Sequence, residues 1–182
     1  MAAAKLGLAL FVGVTIASSA EAQKPFVFLG GGATVPVSVY KNEDGAKTGW
    51  MATAGIGFPV GDKPVSVGGE LMFGSNKHEA PPEGDKTNLL GAAGFVSARL
   101  GNAEKPYPYL IGSLGMLKHD YRSTAFPDEQ GGDFAVTWSA GAGLAIPVGS
   151  GGTEVWFEGR FVSRGDTRFI PIFAGFAIPL GR

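Results

Sequence analysis

Four charged residues stand apart because the sequence places them within apolar stretches instead of polar connections. They are Glu70, Arg99, Glu158 and Arg160. A charged group buried in a core or at membrane depth must pair with an opposite charge or reach water. Two carboxylates and two guanidinium groups on one face therefore predict an ion-pair network. For Arg99, the alternative is a solvated position at the end of its strand.

The other candidates for chemistry are two histidines, His78 and His119, which the pattern places in polar connections. Ser75 precedes the first, while Asp120 and Ser123 follow the second, so the residue types of a hydrolytic triad are present. A triad also needs its nucleophile within hydrogen-bond reach of the base. Two isolated histidines lack the clustered spacing of a metal site. We therefore expect no catalytic residue, no metal and no cofactor.

The segments that must position these groups have the length of tilted transmembrane strands. About ten residues is longer than the usual strand of a globular protein and matches a strand that crosses a bilayer at an angle. Thirty glycines accompany them, and glycine within ordered strands predicts curvature or close backbone approach. We predict eight strands, at 25–35, 48–58, 64–73, 87–100, 107–117, 133–146, 153–162 and 169–180.

Side chains alternate between two faces along most of these strands. In the third, Leu71 and Phe73 lie opposite Glu70 and Met72. The second face consists mainly of Gly, Ala, Ser and Thr, which suits a narrow interior, and the apolar face is then expected to meet lipid. The alternative is a soluble or periplasmic barrel that holds an apolar ligand inside. The closing segment alternates least, and its Phe173 faces the predicted interior without an identified partner.

The connections alternate in length. Long polar links at 36–47, 74–86 and 118–132 and a shorter one at 163–168 are separated by tight links at 60–63, 101–106 and 148–152. This rhythm is typical of outer-membrane barrels, in which short turns face the periplasm. Similar endings recur at 57–61, 145–149 and 177–181, all on even-numbered strands. We interpret this repeat as a marker of the periplasmic rim and not as a ligand motif.

The start of the chain has the features of a secretory leader. Lys5 precedes an apolar core at 6–17, and Ala20-Glu21-Ala22 fits the cleavage rule. We predict a signal peptide at 1–22 and a single domain at 23–182. The net charge of −1 argues against nucleic acid as a partner. Several aromatic residues are candidates for interfacial girdles, namely Trp50, Trp138, Trp156, Tyr107, Tyr109 and Tyr121.

The leader, the strand rhythm, the interior Glu/Arg set and the phrase Phe169-Ile170-Pro171-Ile172 together carry a family resemblance. The chain resembles the small eight-stranded outer-membrane barrels, the superfamily of the outer membrane protein A transmembrane domain and the opacity proteins. The resemblance implies an all-β fold, an eight-stranded antiparallel up-and-down transmembrane β-barrel, located in the cell outer membrane.

The expected role is that of an integral outer-membrane barrel with a structural or surface-interaction function, a packed ion-paired lumen and no catalysis. The expected partners are outer-membrane lipid and lipopolysaccharide, with a surface ligand bound through the long outer loops, and the expected state is a monomer. One alternative is a rim enzyme that modifies lipid with His78, His119 and loop serines. Another is a narrow channel.

Overall fold

Eight antiparallel strands form a closed barrel in the computed structural model, which describes residues 24–42, 45–79, 85–123 and 131–181. Each strand pairs with the next, and β8 pairs with β1 to close the ring. The fold class predicted from the sequence is therefore confirmed. The strands are β1 (Phe26–Val37), β2 (Gly49–Pro59), β3 (Val65–Lys77), β4 (Lys86–Arg99), β5 (Tyr107–Arg122), β6 (Gly131–Val148), β7 (Thr153–Arg164) and β8 (Thr167–Pro179).

A short helix, α1 (Ser38–Asn42), follows β1 at the end of the barrel that carries the long connections. We call this the outer end, and the opposite end, with the tight turns and both termini of the barrel domain, the periplasmic end. In the described part of the chain, no helix is long and apolar enough to cross a membrane. The predicted leader at 1–22 lies outside the described residues.

The strands extend further at the outer end than the sequence predicted. β3 continues to Lys77 instead of residue 73, and β5 continues to Arg122 instead of residue 117. The prediction that His119 lies in a connection is therefore wrong, because it is a residue of β5. The apolar pattern stops where the strand leaves the lipid, whereas the hydrogen-bonded ladder continues with polar side chains beyond it.

The outside of the barrel is a continuous apolar wall. Leu29, Leu71, Leu114 and Val136 expose between 64% and 66% of their surface. A wall of this kind is expected to face lipid and not water. The assignment of the lipid-facing side from the alternation pattern agrees with this exposure.

Two aromatic pairs, each with an exposed tryptophan, lie toward the outer end of this wall. The ring centroids of Trp50 and Phe73 are 5.3 Å apart, and those of Trp138 and Phe161 are 5.6 Å apart. Both tryptophans belong to the predicted girdle. The other four aromatic residues of that prediction lie elsewhere and are described below.

The repeated strand endings all reach the periplasmic end. Their last residues, Gly61, Gly149 and Gly181, have φ values of +55°, +69° and +92°. Side chains with a Cβ rarely adopt this conformation, so glycine is needed where the chain turns at the rim. The structure therefore accounts for the repeat as a turn motif.

Inside the barrel, aromatic rings pack closely against glycines of neighbouring strands. The indole of Trp156 covers Gly30 and Gly175, which pair across the β1–β8 seam, and a Cβ on either glycine would overlap the ring. Glycine leaves room for an aromatic ring on the adjacent strand, an arrangement that also supports curvature. The same arrangement places Phe26 over Gly57, Phe28 over Gly55, Phe95 over Gly68 and Tyr109 over Gly143.

The closing strand alternates fully, although both of its faces are apolar. Phe169 and Phe173 are buried in the lumen, whereas Ile172 and Phe176 face outward. The ring of Phe173 lies 6.3 Å from that of Trp156, measured between centroids. The weak alternation in the sequence reflects a lumen that is itself partly apolar, and the partner of Phe173 is identified.

Candidate functional site

A cluster of three buried charges crosses the lumen. Nη1 of Arg160 on β7 donates to Oε1 of Glu70 on β3 at 2.5 Å, and Nε of Arg160 donates to Glu158, two residues earlier on β7. The three side chains expose 3% or less of their surface. Strands β3 and β7 are four apart in a ring of eight, so they form opposite walls. The cluster therefore divides the lumen into two halves.

A neighbouring hydroxyl donates to the second oxygen of each carboxylate. The hydroxyl of Tyr109 donates to Oε2 of Glu158 at 2.9 Å, and that of Thr53 donates to Oε2 of Glu70 at 3.4 Å. The guanidinium of Arg160 also lies 5.9 Å from the ring centroid of Phe173. Buried charges are tolerated only when such bonds replace the lost hydration.

Arg99 does not join this cluster. It is the last residue of β4. The β4 residue that pairs with Glu70 is Ala93, which lies six residues before Arg99, or about 20 Å along the strand. Its guanidinium is stacked over Tyr107 at 5.6 Å from the ring centroid. Its Nε is buried and has no hydrogen-bond partner among the described residues. The structure thus brings three of the four predicted residues together and leaves Arg99 at the periplasmic end.

Four aromatic residues that the sequence assigned to the girdles lie on inward-facing strand positions instead. They are Trp156, Tyr107, Tyr109 and Tyr121. The hydroxyl of Tyr107 donates to Oε1 of Glu154 at 2.7 Å. An amphipathic ring suits a membrane interface and a polar lumen equally well, so only the parity of each position along its strand could have distinguished the two.

The periplasmic half of the lumen contains a cavity of about 600 Å³. The sequence predicted a packed lumen, and this half departs from that prediction. Glu158 and Arg160 of the charge cluster contribute to its lining, and Lys24 and Arg99 line it toward the periplasmic end. Six aromatic residues contribute to its wall, namely Phe26, Phe28, Phe95, Tyr107, Tyr109 and Trp156.

The outer half of the lumen is filled with side chains. Tyr40 of α1 is fully buried there, with its ring 5.2 Å from that of His119 and 6.5 Å from that of Phe169, measured between centroids. Below this layer, five side chains expose no more than 1% of their surface, namely Met51, Leu89, Leu117, Val162 and Phe169. The helix therefore closes the outer mouth of the barrel.

The histidines at the outer end contact a hydroxyl and aromatic rings. Nε2 of His78 lies 2.8 Å from Oγ1 of Thr87, whose side chain is fully buried. Nε2 of His119 is buried without a hydrogen-bond partner among the described residues. In the same described part of the chain, no group of three His, Asp or Glu side chains is arranged to hold a metal ion.

A row of cations crosses the outer wall above the aromatic pairs. Lys77 of β3 is directly opposite Lys86 of β4, which is directly opposite Arg122 of β5. All three face outward and are exposed. We call these residues the basic row.

Asp120 lies two residues before Arg122 of the basic row and already forms an ion pair with it. It accepts bonds from Arg122 at 2.8 Å and from Lys118 at 3.2 Å, on a part of β5 that extends past the apolar wall. These hydrogen bonds, first from Arg122 and then from Lys118, hold the pKa of the Asp120 carboxyl below its ordinary value. Asp120 is therefore ionised at neutral pH.

Comparison with known proteins agrees with this architecture. Neisserial surface protein A is similar with a TM-score of 0.66 at 12% identity, over 86% of this chain and 97% of that chain. The N-terminal β-barrel domain of Pseudomonas aeruginosa OprF has a TM-score of 0.55 at 13% identity, over 87% of this chain and 98% of that chain. Ail, the attachment invasion locus protein of Yersinia pestis, has a TM-score of 0.56 at 11% identity, over 86% of this chain and 98% of that chain. At these identities the likeness is one of fold.

No curated protein matches the sequence of this chain. A family model does match it, over residues 6–162, and that model describes an outer membrane protein beta-barrel domain. The match covers most of the chain and agrees with the resemblance noted from its motifs. This chain is therefore a member of the outer membrane β-barrel family, and it is an outer-membrane protein.

Proposed function

We propose that the protein is a closed, monomeric surface barrel without catalytic or channel activity, and that its outer rim binds the anionic head groups of lipopolysaccharide. The basic row carries this proposal. Three cations that lie directly opposite one another on a sheet repel, which costs stability unless an anion lies between them. Lys77 and Lys86 have no carboxylate partner among the described residues, so they are available to phosphate groups.

The position of the basic row supports the same partner. It lies outward of the exposed Trp50 and Phe73 pair, where the bilayer interface gives way to head groups. Phosphate groups accept charge-assisted hydrogen bonds from Lys and Arg. Cations at this level of the wall would therefore contact the phosphates of the outer leaflet directly.

The lumen supports the absence of a conducting path. Arg160 joins opposite walls through Glu70, and Tyr40 with its neighbours fills the outer half. A narrow channel remains the alternative, and planar-bilayer recordings test it. We expect no resolved conductance steps for the folded protein. Steps of constant size would refute the closed barrel.

The geometry favours the non-catalytic role over a rim enzyme. One hydroxyl within hydrogen-bond distance of His78 is that of Thr87, which is fully buried and out of reach of a lipid. Replacement of both His78 and His119 should therefore leave lipid A composition unchanged in cells. The exposed apolar wall likewise favours membrane insertion over the soluble ligand-binding alternative.

A surface ligand other than lipid is a second candidate for the basic row. The Yersinia pestis attachment invasion locus protein, which has the same fold, has been crystallised with sucrose octasulfate, a heparin analogue. A sulfated ligand would use the same charges as a lipid phosphate. Competition by sucrose octasulfate for lipopolysaccharide would reveal a shared site.

The decisive experiment measures retention of lipopolysaccharide by the purified, folded barrel in neutral detergent. Lys77→Gln with Lys86→Gln should reduce the lipid retained several-fold at low salt, because two phosphate partners are lost. Lys63→Gln with Lys105→Gln removes the same charge from exposed positions at the periplasmic end and serves as the control. Equal retention by the two double variants would refute the proposal.

A further inference from the structure

We propose that the periplasmic cavity binds a small amphiphile that has an apolar tail and an acidic head, of which a free fatty acid is the simplest case. This inference concerns the opposite end of the barrel from the basic row, so either proposal can fail without the other. The cavity, at about 600 Å³, has the size of a small-molecule site. It is built by residues of the lumen wall and opens toward the periplasm.

The wall of the cavity suits an apolar body. Phe28 packs edge-on against Phe95 at 5.6 Å and against Trp156 at 6.3 Å, measured between ring centroids. Because these rings pack against glycines of the neighbouring strands, they line an apolar space and do not fill it. Ligand sites are typically apolar with a few placed polar groups. An acyl chain would cover the apolar surface that the rings leave in contact with water.

Two fully buried polar atoms on residues that line the cavity lack a partner in the described part of the chain, and both are hydrogen-bond donors. Nε of Arg99 and Nε1 of Trp156 are buried, lie on lining residues and have no partner among the described residues. Trp156 as a whole is 94% buried, since it exposes 6% of its surface. A buried donor without an acceptor is costly, which makes both atoms candidates for a ligand contact.

The two carboxylates of the cavity, by contrast, already accept hydrogen bonds from neighbouring side chains. Glu154 accepts the hydroxyl of Tyr107, and Glu158 accepts bonds from Tyr109 and Arg160. A ligand that satisfies the two unpaired donors must therefore supply acceptors. A carboxylate does so, and it carries the charge that complements Arg99 and Lys24. A head group without acceptors would leave both of these donors unpaired.

Trp156 provides a direct reporter of binding. With Trp50→Phe and Trp138→Phe, the two exposed tryptophans of the outer wall are removed and the cavity indole remains. The folded barrel in nanodiscs is titrated with a medium-chain carboxylic acid brominated at its tail, and with the matching brominated alcohol. Bromine quenches indole fluorescence on contact. We expect saturable quenching by the acid and affinity for the alcohol that is about tenfold weaker, since its head lacks the charge.

Two variants assign the interaction to the cavity. Arg99→Gln should lower the affinity for the acid to that for the alcohol. Ser97→Leu fills the cavity from the same strand and should abolish quenching, whereas Ala98→Leu places the same side chain on the outward face and should not change it. Each variant is checked for the gel shift of a folded barrel on heating.

Three results would overturn the proposal. Quenching that never saturates, or that persists unchanged in Ser97→Leu, would mean that the probe reaches Trp156 only from the bilayer. Equal affinity for acid and alcohol in the parent protein would mean that no acidic head is recognised. If Ser97→Leu does not fold, Arg99→Gln alone still decides the outcome, because it removes a charge at the rim without adding volume.

Discussion

The two halves of the lumen share eight strands and one alternation pattern, yet they are filled in opposite ways. In the outer half, Leu89, Leu117 and Phe169 point toward the barrel axis and Tyr40 enters from above. In the periplasmic half, Phe28 and Trp156 lie along the wall over glycines, and the axis is left open. Glycines on the neighbouring strands therefore give the rings of the periplasmic half room beside the wall.

The charge cluster at the boundary explains why the two halves can differ. Arg160 reaches both Glu70 and Glu158, so it fixes the opposite walls at one distance. The side chains that pack one half of the lumen are then not needed to hold the walls of the other half in place. A closed outer half suits a role at the cell surface, and an open inner half suits a ligand from the periplasm.

The largest loss of stability is expected when the charge cluster is removed. Arg160→Met leaves two carboxylates buried without their cation, which should lower the free energy of unfolding by about 3–5 kcal/mol. The measurement is the urea midpoint in a fixed lipid or detergent. Arg168→Met removes an exposed cation from β8 and serves as the control. An unchanged midpoint for Arg160→Met would show that the cluster does not hold the walls together.

The next comparison deletes one ring from each half. Phe169→Ala should cost about 3–5 kcal/mol of unfolding free energy, because the side chain is fully buried and its neighbours cannot collapse into the space. Phe26→Ala should cost clearly less, since that ring lies beside the cavity and is partly exposed. Equal losses in the same urea titration would contradict the contrast between the halves.

A smaller effect is expected from filling the space that glycine provides. Gly30→Ala should cost about 1–3 kcal/mol, because the new methyl group overlaps the Trp156 indole. The neighbouring Gly31 faces outward, with its nearest contact at 3.7 Å, so Gly31→Ala should be tolerated. A loss for Gly30→Ala that remains the same when Trp156 is also changed to Leu would assign the cost to the backbone instead of the ring.

The smallest change in stability is expected for a substitution in the basic row. Lys86→Glu replaces two repulsive cross-strand pairs, with Lys77 and Arg122, by attractive ones. In neutral detergent it should raise the free energy of unfolding by about 0.2–1 kcal/mol. In membranes that contain lipopolysaccharide the sign should reverse, because a phosphate partner is lost. A gain of stability in both environments would argue against lipid binding at this row.

The features that lipid imposes were predictable from the sequence. A strand in a bilayer must present apolar residues on one side, so the faces of Leu71 and Glu70 followed from alternation alone. The strand count and the rim position of the repeated endings followed from the spacing of turns. Phe173 was correctly placed toward the lumen, although its contacts with Trp156 and Arg160 required the structure.

Features that depend on three-dimensional distance were not predictable. Arg99 shares a face with the other interior charges, but the register of β4 places it too far along the barrel to meet them. Tyr107 and Tyr109 suit an interface by composition, and only pairing showed that they face Glu154 and Glu158. The cavity lies between strands that are distant in sequence, so no local sequence pattern predicts it.

The bond between Arg160 and Glu70 also bears on how the barrel assembles. Its partners are 90 residues apart in sequence. While β7 is absent, a sheet that has already formed β3 carries Glu70 without its cation, and lipid strongly disfavours that charge. Insertion of an incomplete sheet is therefore penalised until the late strands arrive. Because the charge cluster forms only when both strands are present, we expect closure of the barrel and its insertion into the membrane to be one cooperative event.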